Sequence, residues 1–214
     1  MNMNNNTNND FPELIPIFPL KGVVMFPDTY LPLNIFEPRY LEMINKAISS
    51  KSRLIGMIQP NDSNHNNFCD VGCAGKIVKF EETTDKRYLI TLKGLSRFEL
   101  ISEKTNRKNF KEAQVKWDRY SDDLQKKDIK EKFTNLKASL KEYFKIKNIE
   151  VNFEVIDKCN DYNLVDQITM ICPLAFEEKQ LLLETISLSK RGNLLKSIIE
   201  SYASEENISK MVKH

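Results

Sequence analysis

The spacing of apolar residues changes its period near residue 120, and this change most constrains the fold. Before that point, short apolar runs alternate with polar residues, so that Tyr88, Ile90 and Leu92 share one face of a predicted strand. After it, apolar residues recur every three or four positions between Ile129 and Phe144. The pattern predicts an α+β protein with a β-rich part over residues 11–120 and a helical part over residues 121–214.

Closely spaced apolar runs dominate the first part. They predict strands at residues 13–20, 29–36, 53–59, 75–82, 87–93, 97–102 and 112–120. Gly94 is expected in a tight turn between two of them. A single helix is predicted to begin at Pro38, because a proline in the first turn has no intrahelical N–H bond to lose. With so few crossover helices, a doubly wound sheet is not expected.

Four helices are predicted in the second part, at residues 129–144, 164–171, 178–188 and 193–202. Pro173 is expected to end the second of them, and Ser189 to cap the last. The outer face of the first helix carries lysines interleaved with acidic residues, which is typical of a solvated face. These lysines are Lys126, Lys130, Lys137 and Lys141.

The net charge and the composition of the N-terminal residues indicate which partners and which cellular location to expect. Lys and Arg number 32 against 30 for Asp and Glu, a net charge of +2, so no long-range field gathers nucleic acid or an anionic membrane. No apolar run is long enough to span a bilayer. Residues 1–10 form an Asn-rich segment without the basic and apolar regions of a signal peptide. We therefore expect a disordered tail, a cytoplasmic location and reduced cysteines.

Four long segments carry a resemblance to a known family. They are ELIPIFPLKGVVMFPDTYLPLNIFEPRYLEMI (13–44), DVGCAGKIVKFEE (70–82), RYLITLKGLSRFEL (87–100) and PLAFEEKQLLLETISLSKRGNLL (173–195). Together they resemble the N-terminal, substrate-binding domain of Lon proteases. The resemblance implies a PUA-like β pseudo-barrel followed by a helical bundle, and a role in capturing unfolded substrates.

The resemblance implies binding and not cleavage. The sequence contains no G-x-x-x-x-G-K-[ST] loop to hold a nucleotide phosphate, and the protease part of Lon with its Ser-Lys dyad is absent. We therefore expect a non-catalytic protein-binding module that uses no cofactor. Its expected partners are unfolded or flexible polypeptides, and Lon protease itself is a candidate partner.

A cluster of residues where a strand meets the predicted helix is the leading candidate site. Phe36, Arg39 and Tyr40, with Phe26 earlier in the chain, are the tentative peptide-binding residues, because aromatic and arginine side chains often carry binding energy. The structural alternative stays open: Glu37 would favour the helix dipole and pair with Arg39, while the two aromatic rings of the cluster would fill the barrel.

Two strands are candidates for recognising a peptide through the main chain. Because prolines interrupt both segments and lack a ladder donor, residues 15–18 and 31–35 are predicted to be edge or rim strands. A free edge could accept an extended peptide as an additional strand.

Metal and catalytic motifs are weak. His65, Cys69 and Cys73 form H-x3-C-x3-C, but a closed zinc site needs four ligands, so buried, apolar cysteines and no metal are expected. Ser187 and Lys190 form S-x-x-K without the companion motifs of penicillin-binding enzymes.

Two rival functions remain open at this stage. A PUA-like RNA-binding protein, the alternative function, predicts a clustered basic patch and salt-sensitive RNA affinity. An enzyme or small-ligand binder predicts a deep pocket with convergent polar groups between the two parts.

Overall fold

The computed structural model describes residues 11–61, 67–125, 133–151, 154 and 161–212. Outside these ranges lie the predicted tail at residues 1–10 and four residues discussed above: His65, Lys126, Ile129 and Lys130. The expected boundary between residues 120 and 121 stays a prediction.

Six strands form one sheet that closes on itself. They are β1 (Leu14–Pro19), β2 (Tyr30–Ile35), β3 (Leu54–Ile58), β4 (Val71–Glu82), β5 (Tyr88–Thr105) and β6 (Lys111–Lys116). The strand order is β2-β5-β4-β3-β1-β6, and β6 also pairs with the second half of β5, which closes the ring. β2 pairs with the first half of β5 and lies outside the ring. The predicted α+β class with a pseudo-barrel is confirmed.

The prediction that the segment around Pro16 offers a free edge is wrong. β1 pairs antiparallel with β6 through residues 14–17 and parallel with β3 through residues 17–19. Both sides of the strand are therefore occupied. Pro16 lacks a backbone N–H and is tolerated because the pairing of β1 with β3 starts only at Ile17.

The prediction of a tight turn at Gly94 is also wrong. Residues 88–105 form one continuous strand, and Gly94 lies inside it beside a bulge, where Leu95 interrupts the register with β4. The backbone of the segment before β2 crosses closely at this point, and a Cβ on Gly94 would lie 1.9 Å from the carbonyl oxygen of Phe26. Glycine is required here for close approach and not for a turn.

Helix α1 (Pro38–Ser49) packs its apolar face against the barrel core. Pro38 occupies the first turn, as predicted. Met43 and Ile44 are fully buried in one cluster with Met57 and Leu92. This packing orients the corner between β2 and α1.

The strand predicted at residues 112–120 is shorter than expected. β6 ends at Lys116, and a 3₁₀ helix (Asp118–Leu124) follows. Between them, the Trp117 indole N–H donates to the Pro12 carbonyl at 3.3 Å and its ring packs on Phe11. Burial of Tyr120 favours the turn over a continued strand.

The helical part contains α2 (Thr134–Ile146), α3 (Asp161–Ile171), α4 (Phe176–Glu184) and α5 (Leu188–Val212). Their apolar faces meet in a second core around Leu140, Leu182 and Leu195. α5 begins five residues before its predicted start at 193, and the capping residue differs: Ser187, not Ser189, accepts a bond from the Lys190 N–H at 3.4 Å.

Candidate protein-binding surface and the junction behind it

Phe36 lies at the corner between β2 and α1 and points into solvent. Its side chain is 65% exposed. The fixed φ of Pro38 starts the helix two residues later, so the chain turns at this corner. An exposed phenylalanine can contribute apolar contact area to a partner.

Arg39 and Tyr40 form the base of the same corner. The Arg39 Nε donates to the Glu37 carboxylate at 3.0 Å, and its guanidinium lies 4.6 Å from the centre of the Tyr40 ring. Tyr40 itself is buried against Phe18, with ring centres 4.5 Å apart. Burial, partly offset by Arg39, raises the pKa of the Tyr40 hydroxyl. Tyr40 therefore supports the corner, while Phe36 and Arg39 face outward.

Phe26 does not belong to this surface. Its side chain is fully buried in the barrel core, and the Arg191 guanidinium lies 5.1 Å from its ring centre. In this structure Phe26 is a packing residue between the sheet and α5, inaccessible to a peptide.

β2 has one open side among the described residues. The Gly94 N–H donates to the Thr29 carbonyl at 2.9 Å. Alternation along an antiparallel ladder then directs the main-chain groups of Tyr30, Pro32 and Asn34 away from β5. Pro32 is tolerated because its missing donor falls on this open side. The predicted edge at residues 31–35 is therefore present.

The outer face of β2, β5 and β4 carries three cross-strand rows. Each row contains one residue from each strand, in that order: Tyr30, Lys93 and Lys76, then Pro32, Thr91 and Lys79, then Asn34, Leu89 and Glu81. The last two rows line an open concavity of about 720 Å³ together with Val78, the bulged residue of β4. Leu33, Phe80 and Ile90, from the alternate positions of the same strands, line it as well. Val78 and Leu89 are 46% and 40% exposed.

Lysines dominate one end of this face. Lys76 stands directly opposite Lys93. Lys93 pairs with Asp28 at 3.4 Å, whereas no ion pair to Lys76 or Lys79 is found among the described residues. Like charges opposite one another destabilise a sheet by about 0.2–1 kcal/mol.

A buried arginine of the barrel reaches the helical part. The Arg97 guanidinium makes a two-point contact with Asp123 at 2.9 and 2.8 Å and donates to the carbonyls of Leu183 and Thr185 at 3.0 and 2.9 Å. It also lies 4.4 Å from the ring centre of Tyr120. Although burial opposes the charge, hydrogen bonds with Asp123 raise the Arg97 pKa.

A second buried arginine, Arg191, donates to the same Thr185 carbonyl as Arg97. Arg191 contacts Asp166 at 2.8 and 3.2 Å, and its Nη1 donates to the Thr185 carbonyl at 2.8 Å. Burial raises the pKa of Asp166 to about 6, although Arg191 opposes the shift. The Asp166 carboxylate is therefore largely ionised at neutral pH.

Glutamine side chains complete the junction. The Gln180 amide donates to the Val71 carbonyl and accepts from Gln59, both at 3.0 Å. Gln59 in turn accepts the Gly22 N–H at 2.8 Å. These polar groups satisfy one another, so they do not form the set of free convergent groups that the enzyme hypothesis predicts here.

The described cysteines are buried thiols. Burial raises the pKa of Cys69 to about 11 and that of Cys172 to about 12, and it raises that of Cys73 as well. A thiol that stays protonated is a poor nucleophile and metal ligand. Within the described ranges, no cluster of three or more histidine, cysteine or acidic residues could hold a metal ion.

Sequence reasoning missed the two-arginine junction and the pairing of Lys76 with Lys93. Neither has a local signature, because Arg97 and Asp123 are 26 residues apart and the lysine pairing depends on the bulges in β4 and β5. None of the described helices has the length and apolar character needed to cross a membrane.

A closed pseudo-barrel packed against a helical bundle, with an exposed aromatic corner and one open strand edge among the described residues, defines an α+β module. Residues 14–201 match the family model described as the ATP-dependent protease La (LON) substrate-binding domain. The chain belongs to this family.

The curated relatives that this chain matches are Lon proteases. Lon protease 1 of Hydrogenovibrio crunogenus is 27% identical over 95% of this chain and 26% of its own length. Lon protease 2 of Myxococcus xanthus is 24% identical over 89% of this chain and 24% of its own length. The chain thus spans about a quarter of the relatives it matches.

Two solved structures share the fold. A Lon N-terminal domain protein from Xanthomonas campestris superimposes with a TM-score of 0.61 at 18% identity, covering 86% of this chain and 97% of that one. The N-terminal domain of the Mycobacterium avium complex Lon protease gives a TM-score of 0.59 at 15% identity, covering 87% and 98%. The similarity supports the fold observed here.

Proposed function

We propose that this chain is a non-catalytic protein-binding module that recognises unfolded or flexible polypeptides. The observation that carries the proposal is the match of residues 14–201 to a substrate-binding domain. The three cysteines that the structure describes are buried thiols, and the polar groups of the junction bond to one another; both observations support a role in binding.

The proposed contact surface is the corner formed by Phe36, Arg39 and Tyr40. Phe36 supplies exposed apolar area, and the half-exposed Arg39 can exchange its partner Glu37 for a main-chain carbonyl or a carboxylate. Tyr40 contributes by holding the Arg39 guanidinium in place. Weak, sequence-tolerant contacts of this kind suit a client without a fixed structure.

A titration against reduced, unfolded casein tests the proposal. We expect saturable binding that Phe36→Ala weakens several-fold, because a central aromatic contact contributes about 1–2 kcal/mol. The matched control is Ile171→Ala, which truncates a side chain 71% exposed on the helical part. Thermal unfolding of both variants verifies that stability is unchanged.

The titration is run at two salt concentrations with a structured RNA alongside. Absence of casein binding, combined with tight and salt-sensitive RNA binding, would reject the module and favour the RNA-binding alternative.

A partnership with Lon protease is part of the same proposal. If the module recognises the same clients, excess chain should slow casein degradation by a purified Lon protease. Phe36→Ala should restore the rate while Ile171→Ala does not, and an unchanged rate with the unmodified chain would argue against shared clients.

A further inference from the structure

We propose that the outer face of β2, β5 and β4 docks an extended polypeptide segment that carries carboxylates beside apolar side chains. This basic sheet face consists of Tyr30, Lys76, Val78, Lys79, Leu89 and Lys93. The inference rests on the proposed function and names the client chemistry that one surface selects.

The charge of the face points to an anionic partner. Lys76 and Lys93 are direct cross-strand neighbours, and Lys79 lies on the same face one row further along. Asp28 compensates Lys93, but the described residues provide no ion pair for Lys76 or Lys79. A carboxylate bound between these lysines removes the repulsion that the free face bears.

The centre of the face is apolar. Val78 and Leu89 are about half exposed and line the concavity of about 720 Å³. An apolar side chain that enters the concavity buries the exposed apolar surface of Val78 and Leu89. On the side of the bound segment that faces the sheet, carboxylates therefore have to lie one or two rows away from apolar side chains, that is, two or four residues along an extended chain.

An extended segment fits the face because the lysines and the apolar residues lie in successive rows along the strands. Lys76 and Lys93 form one row, Lys79 lies in the next and Leu89 in the one after, which matches the two-residue side-chain repeat of an extended chain. A strand added at the open edge of β2 would be separated from β4 by three strand spacings of about 4.8 Å each, so the segment lies over the face and not along that edge.

A single-stranded nucleic acid is the alternative occupant, because Tyr30 and Phe80 are exposed rings at this face and bases stack on exposed rings. The apolar concavity and the proposed function favour a polypeptide. Poly-uridylate is therefore included in the test as the competing ligand.

Lys76→Glu provides the test. The probes are a fluorescein-labelled peptide with the repeat Asp-Ser-Leu-Ser, which places Asp and Leu on one side of an extended chain, its counterpart with Lys in place of Asp, and a poly-uridylate of similar length. Charge reversal should weaken the Asp and Leu peptide about fivefold. The same change converts a repulsive cross-strand pair into an attractive one with Lys93 and should leave the melting temperature equal or higher. Lost affinity then cannot reflect unfolding.

Lys79→Glu is the second variant and should weaken the peptide similarly. Lys190→Glu, an exposed lysine at the start of α5, is the matched control and should have no effect. Unchanged affinity in both sheet variants, equal binding of the Lys and Leu peptide, or tighter binding of poly-uridylate would each overturn the inference. Casein binding by the unmodified chain separates the two proposals: its absence rejects the proposed function, whereas its presence with unaffected sheet variants rejects this surface alone.

Discussion

Arg97 of β5 and Arg191 of α5 donate hydrogen bonds to the same acceptor, the Thr185 carbonyl oxygen, at 2.9 and 2.8 Å. Each guanidinium also has its own buried carboxylate, Asp123 or Asp166. Buried charges are tolerated only when paired and hydrogen-bonded. The short segment between α4 and α5 thereby holds the barrel and the helical part together.

Arg97→Ala should lower the free energy of unfolding by about 3–5 kcal/mol, because it leaves the buried Asp123 without its partner. Arg119→Ala is the matched control, since its contact with Glu99 is partly exposed to solvent; we expect a loss below about 1 kcal/mol. Urea unfolding measures both. Similar losses in the two variants would show that the junction contributes little.

Asp166 should produce a pH dependence of stability. Its folded pKa of about 6 lies above the ordinary 3.8 because burial disfavours the carboxylate. The folded state therefore binds the proton more tightly, and its contribution to stability is full below pH 3.8 and is lost as the pH rises through about 6. The slope can reach about 1.4 kcal/mol per pH unit.

Asp166→Asn removes this titration. In urea unfolding between pH 4 and 6, the variant should show a flatter pH dependence than the unmodified protein, although its overall stability is lower because Arg191 loses its charged partner. Parallel pH profiles would contradict the assignment of the slope to Asp166.

Gly94→Ala should be strongly destabilising, by about 3 kcal/mol or more, because the new Cβ meets a main-chain oxygen that cannot move aside. Gly22→Ala serves for comparison. Gly22 has a φ of +75° and nothing within 4 Å of the added carbon, so only about 1–2 kcal/mol of backbone strain is expected. Thermal or urea unfolding ranks the two, and an equal effect would mean that the backbone at Gly94 has room to relax.

Leu140→Ala should reduce stability by about 2–5 kcal/mol because Leu140 is fully buried in the helical core. Leu181→Ala is the matched control, because Leu181 is 52% exposed on α4. We expect it to change the free energy of unfolding by no more than about 0.5 kcal/mol. Equal values would indicate that α2 is not docked as described.

The class of fold was predictable because it depends on periodicity, which is a local property. Alternation at Tyr88, Ile90 and Leu92 and helical spacing around Leu140 each report the face that a segment buries. The start of α1 was predictable for the same reason, since Pro38 acts on its own turn.

The candidate site was predictable only in part. Phe36, Arg39 and Tyr40 are adjacent in sequence, so their placement at one corner followed from a strand–helix boundary. The depth of each side chain did not: Phe36 is exposed, whereas Phe26 and Tyr40 are buried. Phe36 and Tyr40 are both aromatic and lie close together in the sequence. Packing of α1 against the barrel nevertheless buries Tyr40 and leaves Phe36 exposed.

The sequence by itself determined the α+β class, most of the strands and helices and the family to which the chain belongs, because these depend on local patterns and long motifs. Tertiary structure alone decided that β1 is enclosed while β2 stays open, that Lys76 faces Lys93, and that Arg97 and Arg191 share Thr185. These relationships join residues far apart in the chain. They depend on register, bulges and ring closure, where a shift of one residue exchanges the two faces of a strand.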